Sequence, residues 1–244
     1  MRALSSTFAV ALLFLKPRLR QPLLFVLITI IPLSFVVTFW VIGGERLSHH
    51  ALYGMLVVFA VNPGLVALPQ SAVTYRTLGL QEMYSSSPVG PTVYAIGQGL
   101  SPVLFAALPL SAVVAILVSW SALEPRAIPG VTAVLLATSF IGIMVGFALS
   151  LQVTNLYAIS TAANLAGMLL TVLPPVYYPL EMVSAGWRWL PLLLPTTNAA
   201  ALLRITGGIS EGTTSALVLH SAILGAYALG CGALVFWKIR WRED

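Results

Sequence analysis

Long apolar stretches separated by short polar segments make up most of this chain. Six of them are long enough to supply the roughly 20 residues with which a helix crosses the hydrocarbon core of a bilayer. The predicted spans are Leu23 to Ile42, Ala51 to Gln70, Val93 to Trp120, Val131 to Gln152, Ala158 to Tyr178 and Ala216 to Trp237. The pattern predicts an all-α membrane protein with six transmembrane helices, in a single transmembrane domain over residues 1–244.

The first apolar stretch, Ala3 to Leu15, is too short to span comfortably and is followed by the basic residues Lys16, Arg18 and Arg20. A signal peptide is the rival interpretation, but the stretch ends in this basic cluster without a small-residue cleavage site. We therefore predict an interfacial helix over residues 1–20, lying on the cytoplasmic surface.

The segment 179–214, between the fifth and sixth predicted spans, is longer than the other outer loops. It carries Trp187, Trp189 and Pro195, followed by the apolar stretch Ala199 to Leu203. This pattern predicts short re-entrant helices in the outer leaflet with aromatic anchors at the membrane surface. A plain surface loop is the alternative.

Composition supports a membrane protein, because 59% of the residues are hydrophobic and only 8% are charged, against about 25% charged in soluble domains. The mean hydropathy is +0.96. The single cysteine, Cys231, excludes both an internal disulfide and a thiolate metal cluster within one chain.

The net charge of +5 comes from basic residues beside apolar segments, so it indicates membrane topology rather than nucleic-acid binding. With the amino terminus inside, the cytoplasmic cations are Arg2, Lys16, Arg18, Arg20, Arg76, Lys238, Arg240 and Arg242. The outer cations are Arg46, Arg126, Arg188 and Arg204. This bias predicts a multi-pass protein of the cell membrane with both termini cytoplasmic and lipid as its surroundings.

The sequence carries neither a Gly-rich phosphate loop with Lys and Ser/Thr nor a His-Glu-x-x-His motif. His49 and His50 are adjacent, so their side chains diverge, and His220 stands alone; we predict no metal site and no catalytic residue. Ionisable residues are essentially absent from the middle of the spans, which argues against proton coupling and favours an energy source outside the bilayer.

Uncharged polar residues do occur inside the predicted spans. Asn62 lies in the second, while Ser160, Asn164 and Thr171 share one face of the fifth because they are spaced by four and seven. They could line a substrate path or hydrogen-bond a neighbouring helix; two aromatic residues of the first span could pad a cavity or face lipid. The candidates for a substrate path are Phe35, Phe39, Asn62, Ser160, Asn164 and Thr171.

Small residues recur at four-residue spacing in two predicted spans. Gly142, Gly146 and Ser150 lie in the fourth, and Ala222, Ala226 and Gly230 lie in the sixth. Such spacing lets helix backbones approach closely. We expect it to serve packing inside one bundle rather than a specific dimer contact.

The polar segment 74–91, between the second and third predicted spans, carries apolar Met83 and Tyr84 beside Glu82 and ends near Ser87 and Pro88. This predicts a short surface helix that presses an apolar side chain into a partner. A solvated loop helix is the alternative.

At this segment the chain resembles ABC-2 type permeases, the membrane subunits of type V ATP-binding-cassette exporters. Their loop typically reads Gly-Thr-x-Glu-x-Leu-x-x-Ser/Thr-Pro-Val. The matching residues here are Gly79, Glu82, Ser87, Pro88 and Val89, while Leu80 and Tyr84 depart from the pattern. The stretch Pro175 to Met182 is similar to the aromatic-aromatic-Pro-Leu segment that ends the family's fifth span.

The resemblance implies a permease that pairs with a second, identical or homologous chain and binds two copies of an ATPase subunit. The ATPase would bind ATP and Mg²⁺, and this chain would need no cofactor. Closure of the ATPases would push through the cytoplasmic coupling loop 74–91, with the amino-terminal helix as a second contact. The implied contact residues are Arg76, Gly79, Glu82, Met83, Tyr84 and Pro88.

Because the spans carry few charges, the expected cargo of such an exporter is hydrophobic or amphipathic, for example a drug-like compound or a lipid. Two other classes of protein stay open. An intramembrane enzyme would need a catalytic base that the spans lack. A structural or assembly subunit that transports nothing has no sequence feature against it.

Overall fold

A computed structural model describes residues 2–20, 22–80 and 90–238. The α-helices are α1 (Arg2–Leu19), α2 (Pro22–Asn62), α3 (Leu68–Thr77), α4 (Pro91–Ser119), α5 (Ile128–Gln152), α6 (Leu156–Thr171), α7 (Trp189–Leu192), α8 (Pro195–Gly207) and α9 (Thr214–Lys238). A π-helical segment, Pro63–Ala67, joins α2 to α3. No strand occurs within the described ranges, which confirms the predicted all-α class.

Within the described ranges, four helical stretches are long and apolar enough to cross a membrane. They are Val36–Thr77, Thr92–Ser119, Pro125–Gln152 and Thr214–Val235. They contain the second and fourth predicted spans and cover all but the last one or two residues of the third and sixth. The first predicted span forms the first half of α2. The fifth falls on α6, whose 16 residues extend for about 24 Å at 1.5 Å per residue, less than the thickness of the hydrocarbon core.

Gly44 divides α2 into two helical halves. Its φ of 64° and ψ of −158° lie outside the helical region, in a conformation that glycine adopts far more readily than other residues. The sequence predicts a loop between Ile42 and Ala51, but the structure replaces it with this one-residue break, and the chain is helical again from Glu45. His49 and His50 therefore lie on a helix.

The second half of α2 forms the centre of the molecule. Every residue from 51 to 61 is buried, because α4, α5 and α8 pack around this helix. A helix that is apolar on all sides is stable in such a position. By contrast, α9 exposes most of its surface, including Val218, Leu229 and Trp237.

The π-helical segment brings α2 very close to α5. Pro63 has no N–H to donate, and the N–H of Leu68 bonds to the carbonyl of Pro63, five residues earlier. A Cβ on Gly64 would lie 2.5 Å from the main-chain nitrogen of Ile143, and one on Gly146 would collide with the carbonyl of Gly64.

The glycine spacing of the fourth predicted span thus serves packing inside the chain, as expected. In the sixth predicted span the outcome differs, because nothing lies within 4 Å of a Cβ placed on Gly230.

The amino-terminal helix α1 packs along the first half of α4. Val10 and Phe14 are buried against Tyr94, and a Cβ on Gly97 would lie 2.6 Å from Val10 Cγ1. The ring centroids of Phe14 and Tyr94 are 5.7 Å apart in an edge-to-face arrangement. The predicted helix over residues 1–20 is therefore joined to the bundle through its apolar face.

After Thr171 the chain leaves the helical conformation earlier than the sequence predicts. Pro174 and Pro175 end α6, because neither can donate a main-chain N–H to a preceding carbonyl. Two short 3₁₀ turns and α7 follow, and α8 then packs back against α2, α5 and α9. The segment predicted to be re-entrant, 179–214, contains α8, whose residues 195–200 are all buried.

Candidate functional site

A groove of about 850 Å³ runs between the second half of α2, here called the central helix, and α6. Helix α4 forms its third side. Its volume is within the range of about 300–1,000 Å³ that is usual for small-molecule sites. The lining residues from α2, the π-helical segment and α3 are Val58, Phe59, Asn62, Pro63, Val66, Ala67, Gln70, Ser71 and Thr74. Those from α4 and from the α6 region are Phe105, Ala106, Pro109, Leu156, Ser160, Asn164, Gly167, Met168, Thr171 and Val172.

Four of the predicted substrate-path residues come together in this groove. Asn62 lines it from the end of α2, while Ser160, Asn164 and Thr171 line it from α6. The shared helical face that the spacing predicts for the last three is the face that α6 turns toward α2 and α3. Whether any of them touches a cargo stays a prediction.

Two phenylalanines, Phe35 and Phe39, are also among the residues predicted to line a substrate path. Phe39 is half-buried and stacks on Tyr177, with ring centroids 6.2 Å apart and an interplanar angle of 21°. It is not among the residues that line the groove. The side chain of Phe35 is not among the described ones.

Three further polar residues of the groove, Gln70, Ser71 and Thr74, are not among the residues predicted to line a substrate path. They lie on α3, where Gln70 ends the second predicted span and Thr74 begins the predicted coupling loop. A signal was present, since Gln70 and Thr74 are spaced by four and so share a helical face.

Most hydroxyl and amide donors in the groove already bond to main-chain carbonyls. Thr171 Oγ1 donates to the carbonyl of Gly167 at 2.6 Å, and Thr74 Oγ1 donates to that of Gln70 at 2.8 Å. Asn164 Nδ2 donates to the carbonyl of Ser160 at 2.8 Å. The oxygens of these side chains therefore keep lone pairs that can accept a further hydrogen bond.

No residue lining the groove is ionisable. The site offers a mainly apolar surface with a line of uncharged oxygen and amide groups on two facing helices. Such a surface suits a ligand that is mostly apolar with a few polar atoms. It carries no group able to act as a general base or a nucleophile with a paired base.

At the end of α3, Arg76 lies against α5. Its Nη1 donates to the carbonyl of Ser150 at 3.3 Å, where a cation is favoured by the carboxyl-terminal end of the helix. Gly79, with φ of 70°, follows where α3 has ended. Helix α3 thus extends into the predicted coupling loop as far as Thr77.

The remaining predicted contact residues lie outside the described residues. They are Glu82, Met83, Tyr84 and Pro88.

At the opposite end, Arg204 of α8 is buried, with 5% of its surface exposed. Its Nη2 donates to the carbonyl of Val176 and, at 3.4 Å, to that of His50. Burial lowers the pKa of Arg204 to about 10, against the opposing effect of the Glu181 carboxylate, so the guanidinium stays charged at neutral pH. The charge pattern predicts for Arg204 only a place among the outer cations, although the residue lies four positions after the buried Ala200 on the same helical face.

A second polar contact joins α8 to α9. Asn198 Nδ2 donates to the carbonyls of Leu192 and Leu194 at 2.7 and 2.8 Å, and its Oδ1 lies 2.7 Å from His220 Nδ1. Two buried side chains of α8, Arg204 and Asn198, therefore bond the segment between α6 and α9 to α2 and α9.

Among the described residues no group of three or more His, Cys, Asp or Glu side chains could hold a metal ion. Compared with known proteins, the chain matches no family model and no curated protein.

Proposed function

We propose that this chain is the transmembrane permease subunit of an ATP-driven ATP-binding-cassette exporter. The proposed cargo is hydrophobic or amphipathic, a drug-like compound or a lipid, and moves out of the cytoplasm or the inner leaflet. The observation that carries the proposal is the uncharged groove between the central helix and α6, which collects polar side chains from otherwise apolar helices. A groove without ionisable groups suits a machine that is driven from outside the bilayer rather than by protons.

The proposed architecture has six spans. The two halves of α2, divided at Gly44, supply the first and second spans, and α6 with the residues after it supplies the fifth. Helix α8 is the proposed re-entrant helix on the extracytoplasmic side, and the exposed Trp187 and Trp189 lie at the membrane surface. The hydrogen bonds from Arg204 support a return of α8 into the bundle, because they satisfy main-chain carbonyls at its packed face.

The proposed partners are two ATPase subunits and a second permease chain. The ATPases would hold ATP and Mg²⁺ and would bind the inner segment 74–91, with Glu82 at its centre. The contact between Arg76 and α5 would carry a push on that segment directly into the helix that crosses the π-helical segment. Two conformations of the bundle with different affinity for the ATP-bound partner would supply the coupling.

The proposed location is the cell membrane, with both termini in the cytoplasm. The cytoplasmic excess of lysine and arginine favours this orientation. The proposed function involves no binding of nucleic acid.

The proposal is tested by purifying the tagged chain from its native membrane in mild detergent and identifying what accompanies it. We expect a soluble ATPase with a Gly-x-x-x-x-Gly-Lys-Ser/Thr loop to co-purify, and Glu82→Arg to release it. The same charge reversal at the exposed residue Glu211, which lies in the segment 179–214, is the control and should keep the ATPase bound. If no ATPase appears while other membrane complexes survive, the structural-subunit alternative replaces the exporter.

A further inference from the structure

The groove between the central helix and α6 has an excess of hydrogen-bond acceptors. The hydroxyls of Thr74 and Thr171 each donate their one hydrogen to a main-chain carbonyl of their own helix. Asn164 donates one of its two amide hydrogens to the carbonyl of Ser160. A hydroxyl whose proton is used in this way still has a lone pair to offer. Gln70, Ser160 and the Asn62 amide can both donate and accept, so they do not remove the excess.

Asn62 supplies the strongest single acceptor. Its Oδ1 is buried and has no hydrogen-bond partner, which is costly for an amide oxygen unless a ligand supplies a donor. The residue lines the groove at the end of α2, where the π-helical segment begins. Gly167 on α6 faces it: a Cβ there would lie 3.6 Å from Asn62 Oδ1, in ordinary contact, and only 2.9 Å from Val66 Cγ2.

The groove has no charged side chain, and this disfavours both cationic and anionic ligands. An ammonium group would be buried there without a carboxylate, since no lining residue is acidic. A phosphate or carboxylate would find no cation among the lining residues, so its charge too would be buried without a partner. An apolar molecule without donors would leave Asn62 Oδ1 unpaired.

We propose that this groove binds an uncharged single-chain amphiphile from the membrane, whose headgroup donates hydrogen bonds through hydroxyl or primary-amide groups. Asn62 is the principal acceptor, and the apolar lining from Phe59, Val66 and Met168 holds the chain. That this ligand is the exported cargo rests on the proposed function; that the groove binds it does not.

The test measures binding to the full-length chain in lipid nanodiscs without nucleotide. Three radiolabelled probes share a twelve-carbon chain: 1-dodecanoylglycerol with two hydroxyl donors, methyl dodecanoate with none, and dodecylamine, which is an ammonium ion at pH 7. We expect the glycerol ester to bind at least about fivefold more tightly than either of the others, as one or two net hydrogen bonds would give.

Two variants and one control make the test specific. Asn62→Leu should reduce the preference for the glycerol ester over the methyl ester to less than about twofold. Asn62→Asp keeps the shape but adds a negative charge, and it should turn the preference toward dodecylamine. Thr132→Val, which removes a hydroxyl that bonds to its own helix on the exposed side of α5, should leave all three affinities unchanged.

Equal binding of the glycerol and methyl esters by the wild-type chain, or no binding of any probe, would overturn the assignment without touching the exporter proposal. Headgroup preference in a chain that co-purifies with no ATPase would keep the ligand site and remove only its role in export. Because the wild-type comparison among probes needs no variant, poor folding of an Asn62 variant would leave the test decisive.

Discussion

The guanidinium of Arg204 on α8 donates a hydrogen bond to the main-chain carbonyl of Val176, in the irregular segment after α6. This contact joins two stretches that are 28 residues apart in the chain. It satisfies a carbonyl that no helix can satisfy, because the prolines before Val176 have ended α6. The segment 179–214 thereby acquires a fixed position on the bundle.

Replacing Arg204 with methionine should lower the free energy of unfolding by about 1–3 kcal/mol, since it leaves the carbonyls of Val176 and His50 buried without that donor. Thermal unfolding of the purified chain in detergent measures the effect. Arg126→Met is the matched control, because Arg126 is exposed and pairs only with the exposed Glu124. Equal Tm values for the two variants would show that the Arg204 contact adds no stability.

Alanine substitutions at two glycines, one inside the crossing of the π-helical segment with α5 and one outside it, should change stability in opposite directions. Gly146→Ala should destabilise the chain by about 1–3 kcal/mol, because the added Cβ would collide with the carbonyl of Gly64. Gly230→Ala on α9 meets no atom within 4 Å, so it should be neutral or stabilising by up to about 1 kcal/mol. Urea or thermal unfolding of both variants decides it, and a stable Gly146→Ala protein would contradict the close crossing.

The proposed six spans with cytoplasmic termini predict which residues an impermeant thiol reagent reaches in intact cells. In a Cys231→Ser background, cysteine at Glu45 or Ser184 should be labelled from outside, and cysteine at Arg20 or Thr154 only after permeabilisation. These four positions are exposed and flank the first half of α2 and helix α6. Labelling of positions 154 and 184 from the same side would show that α6 does not span the membrane.

The apolar pattern was sufficient to predict the helical class and four of the long apolar helices, because burial in lipid and burial in a bundle demand the same residues over the same length. It was also sufficient to place Ser160, Asn164 and Thr171 on one face, since that follows from helical geometry alone. Their meeting with Asn62 depends on how α6 packs against the central helix, which no local pattern encodes.

Local backbone chemistry accounts for the differences between the predicted spans and the helices in the structure. A single glycine, Gly44, suffices to break α2, where a predicted loop covered the residues up to His50. The π-helical turn at Pro63 and the early end of α6 before Pro174 both follow from missing N–H groups, whose effect depends on the packing around them. The burial of Arg204 could not be predicted from the sequence, because its partners are main-chain carbonyls that are distant along the chain.

The most direct test of the exporter proposal is the ATP hydrolysis rate of the complex purified through a tag on this chain. We predict vanadate-sensitive hydrolysis in the wild-type complex, its loss with Glu82→Arg, and its retention with Glu211→Arg. A complex that hydrolyses no ATP above background, or hydrolysis that Glu82→Arg leaves unchanged, would contradict an ATPase partner coupled through the inner segment.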